Sequence, residues 1–562
     1  MELRTTKWAA RTFCLTSVLF AATLLSLWGC GRSRATQPLP TPTPTMLLVA
    51  ELKATAQPTP VPSATPTPAP VRLWIHPAVP SPVREAVLAA NSNVQLRDDQ
   101  AELEASLAPA PHSTGLEYVL APVVPFASLV DGISWEGIRQ FWLGQPTDDE
   151  FLAKSPTLFV SEEVKALLTA LLGEPSPQAP ITVAPPEALV DLLWESRPSS
   201  WAIVPFDSLE PRLKVLSLDG VSVLERGLAG KPYPLRIQFE VSGPRARELK
   251  VPQFTNRDEE RMTILVMTGV TALVRGTAVR MERNGILYPA EHIADVLRSA
   301  DITHISNEIP FAQNCPPPRG DQESLVFCSD PKYIELLRFI GTDVVELTGN
   351  HFEDYGPEAT ILTVQMYDQE GWLHYGGGVD LEDARRPVII SDHGNTISFI
   401  GCNPVGPEYA WAGEDYPGAA PCDFDYMHAQ LQELAEKVDV PIATWQYWEF
   451  YHYEPTPQQQ EDFRGMVDAG AKIVSGSQAH HPQAFEFYNG GFIHYGLGNL
   501  FFDQMWSLGT RQECIDRHII YKGKHIATEV LTYMLEDYSQ PRPMTPEERQ
   551  ELLQALFAAS GW

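Results

Sequence analysis

Between residues 262 and 504 short apolar runs alternate with polar loops and amphipathic stretches, and this alternation limits the fold more than any other feature of the chain. Strands that alternate with helices build layered α/β structure. The apolar runs are Met262–Met267, Ile302–Ile309, Val344–Leu347, Val388–Ile390, Thr396–Gly401, Val440–Tyr447 and Lys472–Ser475. Helices are predicted at 289–300, 331–340, 357–369, 426–438 and 457–469, and a closing strand pair at 491–495 and 499–502. In the stretch from Val344 to Gly356 an apolar run ends in Thr348-Gly349, and Asn350, His351 and Asp354 follow before Pro357 opens a helix. In open α/β sheets ligands bind in the crevice at the carboxyl ends of strands. A positive φ at Gly349 is expected to turn the chain so that the polar side chains face one point. An amide, an imidazole and a carboxylate there suit a divalent metal or an oxyanion. The same residues also suit a turn in which Asn350 and Asp354 cap the next helix.

A chain of 562 residues exceeds one hydrophobic core, so two or three domains are expected. The formal charge of −30 argues against nonspecific nucleic-acid binding and against a general affinity for anionic membranes, because both would be repelled. An acidic polymer would need a local basic patch or a bound cation. At the N-terminus Arg4, Lys7 and Arg11 precede an apolar run from Phe13 to Trp28, the pattern of a secretory signal over residues 1–30. Its end, Leu27-Trp28-Gly29-Cys30, resembles the bacterial lipobox, which implies lipidation at Cys30; an uncleaved anchor helix is the alternative. Both place the remaining chain on the extracellular face of the cell membrane. Residues 31–70 are a Pro/Thr-rich stalk. In an oxidising compartment the five cysteines after Cys30 are expected as two pairs and one left over; sequence neighbours suggest Cys315–Cys328 and Cys402–Cys422, with Cys514 free.

Residues 71–245 read as a separate α/β domain, with strands at Val71–Ile75 and Ser200–Phe206 and a helix running from Ser134 to Gly144. The segments "LAPVVPFASLVDGISWEGIRQFWLG" and "SSWAIVPFDSLEPRLKVLSLDG" resemble the phosphate-type extracellular solute-binding proteins. Ser199, Ser200 and Asp207 are the polar cluster this domain offers, and a module that has lost its ligand is the other reading. Residues 511–562 form an extension with a short closing helix, opened by a capping box at Thr545-Pro546-Glu547-Glu548.

Five polar loops follow the apolar runs of the domain at about 260–510: Asn307-Glu308; Gly349-Asn350-His351 with Asp354; Gln446 to Glu449; Gly476 to Gln483; and Gly496 to Asp503. With "GNHFEDYG", "GSQAHHPQ" and "HYGLGNLFFD" they resemble the CapA (PgsA) family of bacterial capsule and poly-γ-glutamate synthesis proteins, whose domain has a calcineurin-like metallophosphoesterase fold. The resemblance implies a metal set of Glu308, Asn350, His351 and His480, holding Mn, Fe or Zn. It implies a general acid or orienting base in His351 paired with Asp354, and polymer contacts from Asn307, Gln446, Glu449, Gln478, His481 and Asn499. Three departures thin the ligand set: Val270 stands where the family has a carboxylate, Gln446 where it has a histidine, and Ser477 and Gln478 where it has two more. A two-metal clamp needs a bridging carboxylate and several imidazoles, so one ion or none is expected. The resemblance implies a surface protein acting with the synthesis or export machinery of a capsule or poly-γ-glutamate polymer. An active metal-dependent hydrolase of phosphoester, peptide or γ-glutamyl bonds is one alternative, and a lipoprotein that binds a small anion is another. The aromatic run Trp445–Tyr453 reads as core or lid packing; exposed, it would stack on sugar rings or grip a polymer.

Overall fold

The computed structural model describes residues 69–99, 103–111 and 115–562. The signal segment, Cys30 and the stalk as far as residue 68 lie outside the described residues.

From Val71 the chain builds a ten-stranded sheet in two halves. Val71–Ile75 lies parallel between Val94–Arg97 and Ala105–Ala110, while Thr157–Val160, Ile181–Val183 and Ser200–Pro205 form the other half. Leu116–Pro125 joins them: its first residues pair with Arg236–Ser242 and its last with Ser200–Pro205 and Leu213–Val215. That strand is covered on both faces, which explains its near-continuous apolar sequence. The helix expected after Ser134 forms over Trp135–Trp142, capped by the Ser134 hydroxyl. Ser199, Ser200 and Asp207 do not converge. Ser199 is exposed, Ser200 donates to the Leu193 carbonyl, and Asp207 accepts from Asn256.

From Met262 onward the fold is a mixed α/β sandwich. An eight-stranded sheet contains Met262–Thr271, Ile302–Asn307, Val344–Glu346 and Leu373–Tyr375 in parallel; a six-stranded sheet contains Asn395–Cys402, Val440–Gln446, Ile473–Ser477 and Gly491–His494 in parallel. Strand alternation decides which side chains meet. Leu265 and Met267 pack between the sheets with Phe399, Ile442 and Phe492, whereas Val266 packs outward against Ala278, Met281 and Leu297 of the covering helices. Ile400, Ala443 and Val474 do the same on the other side, under Phe424–Ala435 and Pro457–Asp468. The order is therefore helices, sheet, sheet, helices.

Four local expectations need correction. The helix read over 289–300 is a 3₁₀ turn at Tyr288–Ala290 followed by Ala294–Arg298, because Ile293 leaves the helical region at φ −127°. The closing strands do not pair with each other: Gly491–His494 joins the six-stranded sheet and Asn499–Phe501 crosses to Met262–Thr271. Their side chains belong to different cores, Ile493 under the helices of one sheet and Leu500 under those of the other. Beyond residue 511 the chain adds two long antiparallel strands, Gln512–Tyr521 and Lys524–Glu536, the first lying along Met262–Thr271. The final helix then runs fourteen residues, Pro546–Ala559, with the capping box at Thr545 formed. Disulfides join Cys315 to Cys328 and Cys402 to Cys422, and Cys514 is free and buried.

Candidate functional site

The parallel strands of both sheets end at the same edge, and the five polar loops meet there. Gly349 is where two of them touch. Its φ is not positive, contrary to expectation; a Cβ at this position would lie 2.3 Å from the Glu308 carbonyl oxygen. The glycine is required for close approach, not for turning. Gly349→Ala is expected to cost about 1–3 kcal/mol by overpacking and to push Glu308 out of place. Urea unfolding of the variant measures the cost, and an unchanged midpoint contradicts the contact.

Gln446 joins three loops. Its Nε2 donates to Glu308 Oε1 at 3.2 Å and to Asn350 Oδ1 at 3.3 Å. An amide N–H₂ thus donates to two oxygens at the position where the resembling family carries an imidazole. His480 Nε2 faces Glu308 Oε1 at 4.0 Å. Its tautomer follows from its neighbours: the Asn499 amide nitrogen donates to Gln504 and to the Thr510 carbonyl, so Asn499 Oδ1 accepts and His480 Nδ1 carries the proton bonded to it at 2.8 Å. His480 Nε2 is the ring nitrogen turned toward the Glu308 carboxylate. Gln478 and His480 both hold left-handed backbone, φ 77° and 50°, a strain of about 1–2 kcal/mol for each residue.

On the other side His351 Nδ1 bonds Asp354 Oδ2 at 2.7 Å, and Asp354 also accepts from the Phe327 N–H and the Tyr409 hydroxyl. Burial pulls the His351 imidazole down, but the Asp354 hydrogen bond and the carboxylates of Glu308, Asp354 and Glu449 outweigh it and raise it above its ordinary value. His351 therefore holds its second proton to higher pH than a free imidazole does.

The polymer-contact candidates separate. Gln446 and Gln478 line the cleft, Glu449 stands exposed at its rim, and Asn499 orients His480. Asn307 is buried, its amide donating to the Ile309 carbonyl and the Tyr367 hydroxyl. His481 is packed elsewhere, edge-on to Tyr453 and bonded to the Pro482 carbonyl, and burial pushes it down. Of the aromatic run, Trp445 and Tyr447 are core, and Trp448 and Tyr451 are exposed.

Arg275 was not singled out by the sequence. It bonds Asp503 through Nε and Nη2, at 3.1 and 2.5 Å, and lies between the rings of Phe327 and Phe502. Those rings in turn touch His351 and His480. The available signal was a polar residue directly after an apolar run, at the end of Leu273-Val274, with a carboxylate closing the last polar loop.

The donor set decides what the cleft can hold. Glu308 Oε2 is buried without a partner, and Glu308 Oε1 and His480 Nε2 are spaced to share one small cation. Val270 is fully buried and offers nothing, so a second ion lacks its bridging carboxylate. A single weakly held ion fits; a two-metal centre does not. Among the described residues the group of three whose carboxylate and imidazole ligand atoms lie within 4.8 Å of one another is elsewhere, at Asp301, Asp392 and His393. It is an incomplete ligand set, and Asp301 and Asp392 already accept from Arg226 and Thr263.

Residues 264–504 match the family described as "Bacterial capsule synthesis protein PGA_cap". The chain is 24% identical over 295 residues to the "Capsule biosynthesis protein CapA" of Bacillus anthracis, covering 52% of this chain and 71% of that one. It is 25% identical over 236 residues to the "PGA biosynthesis protein CapA" of Bacillus subtilis, covering 42% of this chain and 61% of the relative. A 5'-nucleotidase precursor from Thermus thermophilus aligns over 53% of this chain and 58% of its own at 13% identity, with a TM-score of 0.31. The sandwich with its convergent loops is thus distantly related to the CapA capsule-synthesis proteins.

Proposed function

We propose that this is a surface-anchored CapA-like protein that serves the synthesis, export or anchoring of a capsule or poly-γ-glutamate polymer. It is held at the membrane through Cys30 and works through a binding cleft with a degenerate metal centre. The observation that carries the reading is the Gln446 amide bridging Glu308 and Asn350. It takes the place of an imidazole ligand and supplies hydrogen bonds to both oxygens that need no ion. When bound, one ion at Glu308 and His480 would supply a Lewis-acidic anchor for a ligand oxygen. Around it the chain's own groups bind and orient: His351 is steadied by Asp354, and Arg275 packs between the two rings that touch the imidazoles.

Small-anion capture by the first domain has an internal competitor. The Ser81 N–H that opens the helix Ser81–Ala89 already donates to the Glu163 carboxylate at 2.8 Å. A free anion at that helix N-terminus would have to displace the Glu163 side chain.

Metal titration with elemental analysis tests the reading. The protein is expected to take up no more than about one equivalent of Mn, Fe or Zn at this cleft. Glu308→Gln and His480→Ala are expected to lose it, and Asp392→Asn to leave it unchanged. Two equivalents together with turnover of a phosphomonoester would establish the hydrolase instead.

A further inference from the structure

The mouth of the cleft is aromatic. Trp448, Tyr451 and Trp506 are 51%, 45% and 59% exposed, and Tyr451 meets the Trp506 ring edge-on at 5.9 Å. Large apolar groups left together at a surface mark a contact site. The Tyr451 hydroxyl is tied to the polar floor of the cleft through Glu449, which also accepts from Gln478.

Although Gln446 and His351 supply donors there, that floor leaves acceptors unmet. The Tyr451 hydroxyl donates to Glu449 Oε2 at 2.9 Å, and Gln478 Nε2 donates to Glu449 Oε1 at 3.4 Å. Because a carboxylate only accepts, this bond fixes the Gln478 amide with Oε1 as its free end. Gln478 is 2% exposed and that oxygen has no partner; Glu308, 1% exposed, leaves Oε2 without one as well. Two unmet acceptors in a buried floor call for a ligand rich in hydrogen-bond donors. The side groups of a polyanion bring further acceptors, and their charge is repelled by Glu308, Glu449 and a chain of net charge −30. A pyranose brings hydroxyl donors around its edge and an apolar C–H face that lies flat on an aromatic ring.

We propose that the cleft and its aromatic rim bind a neutral pyranose glycan, with a sugar ring stacked on Trp506 and Tyr451 and hydroxyls donating to Gln478 Oε1 and Glu308 Oε2. This rests on reading the cleft as a binding site and assigns it a ligand class. Glu449, already accepting from Tyr451 and Gln478, locks the rim to the floor and keeps the amide turned toward the ligand.

The test is calorimetric titration of the whole protein with two soluble probes, the tetramer of N-acetylglucosamine and a γ-linked glutamate oligomer of similar length. The tetramer is expected to bind saturably with little dependence on salt, and the glutamate oligomer not to bind. Trp506→Ala and Gln478→Leu are each expected to weaken the tetramer by about tenfold or more, and Trp506→Phe to retain most of the affinity. Trp506 is exposed, so its replacement leaves the core intact, and an unchanged thermal midpoint verifies this. Tetramer binding that survives both Trp506→Ala and Gln478→Leu overturns the assignment. Binding of the glutamate oligomer alone also overturns it while leaving the cleft a binding site, and failure of both probes removes the binding reading itself.

Discussion

Acidification is expected to cost the fold less stability per pH unit between about pH 6.5 and about pH 4.5 than below it. The cause lies between the two sheets. Burial pushes His304 down to about 3 and His525 to about 3, and burial together with the neighbouring imidazoles His525, His494 and His304 holds His518 well below its ordinary range. Below about pH 6.5 the unfolded chain takes up protons that these side chains refuse in the fold, so each costs about 1.4 kcal/mol per pH unit. His304 and His518 alone then remove about 3 kcal/mol per unit. Carboxylates oppose them at first. Burial raises Glu513 well above its ordinary value, raises Glu346, and brings Glu353 to about 7. These groups hold protons in the fold that the unfolded chain has released, so falling pH favours the fold until unfolded carboxylates are themselves protonated near about 4.3. Below that point the histidine cost is unopposed, against a total stability of about 5–15 kcal/mol. Urea midpoints followed by circular dichroism from neutral to acid pH check this. Glu513→Gln removes one opposing group, so its midpoint is expected to fall more steeply below about pH 6.5. A steady decline from neutrality in the unmutated protein would contradict the compensation.

None of that buried layer was legible in the sequence. His304 sits in the apolar run Ile302–Ile309, and its partner, the Tyr375 hydroxyl at 2.7 Å, is 71 residues away. Likewise His494 bonds Asp516 at 2.7 Å across the sheets, and no local spacing announces such a pair. What could be read were features whose cause is local. Strand-to-loop transitions announce themselves by an apolar run ending in polar residues, and cysteines paired with their nearest neighbours in sequence. The loops at Asn307-Glu308, Asn350-His351, Gln446 and His480 were legible because each lies directly at a strand end, where topology alone brings it to the shared edge. Residues that act through packing were not: Arg275 matters because Phe327 and Phe502 enclose it, and Trp506 because Tyr451 leans on it. Gly349 shows the same limit from the other side, since its role depends on the Glu308 backbone and not on its own φ. The Asp301, Asp392 and His393 group, gathered from a helix-to-strand connection and a hairpin at the opposite ends of the strands, has no spacing to give it away.

Phe126→Ala is expected to cost about 3–5 kcal/mol, the range for a buried aromatic truncated to alanine, and to uncouple the first part of the chain from the sandwich. Phe126 directly follows the long strand Leu116–Pro125 of the ten-stranded sheet, yet its ring lies among Phe485, Phe487, Phe492, Phe557 and Trp562, all within 6.2 Å and all edge-on. Edge-to-face contacts of this kind add to the area buried, so the loss falls at the upper end of the range. Polar contacts beside it are weaker substitutes. Arg549 of the last helix bonds Asp131 at 3.1 Å, and Asp131 bonds Lys214 at 2.6 Å, but Asp131 is half exposed to solvent, where ion pairs contribute little. Without the Phe126 ring this side of the junction keeps the Trp194 contacts with Phe487 and Trp562, this network and the adjoining 250 Å³ cavity between Lys214, Val530 and Phe557, while Phe206 on Tyr521 and Arg226 on Asp301 hold the other side. Calorimetry is expected to show one thermal transition in the unmutated protein and two in Phe126→Ala, the earlier one belonging to the ten-stranded sheet. Phe141→Ala is the control: its ring packs on Trp201 inside the first part alone, at 5.3 Å, so it should destabilise that part and leave the junction in place. If both variants melt in a single, equally shifted transition, Phe126 is an ordinary core residue and the coupling lies elsewhere.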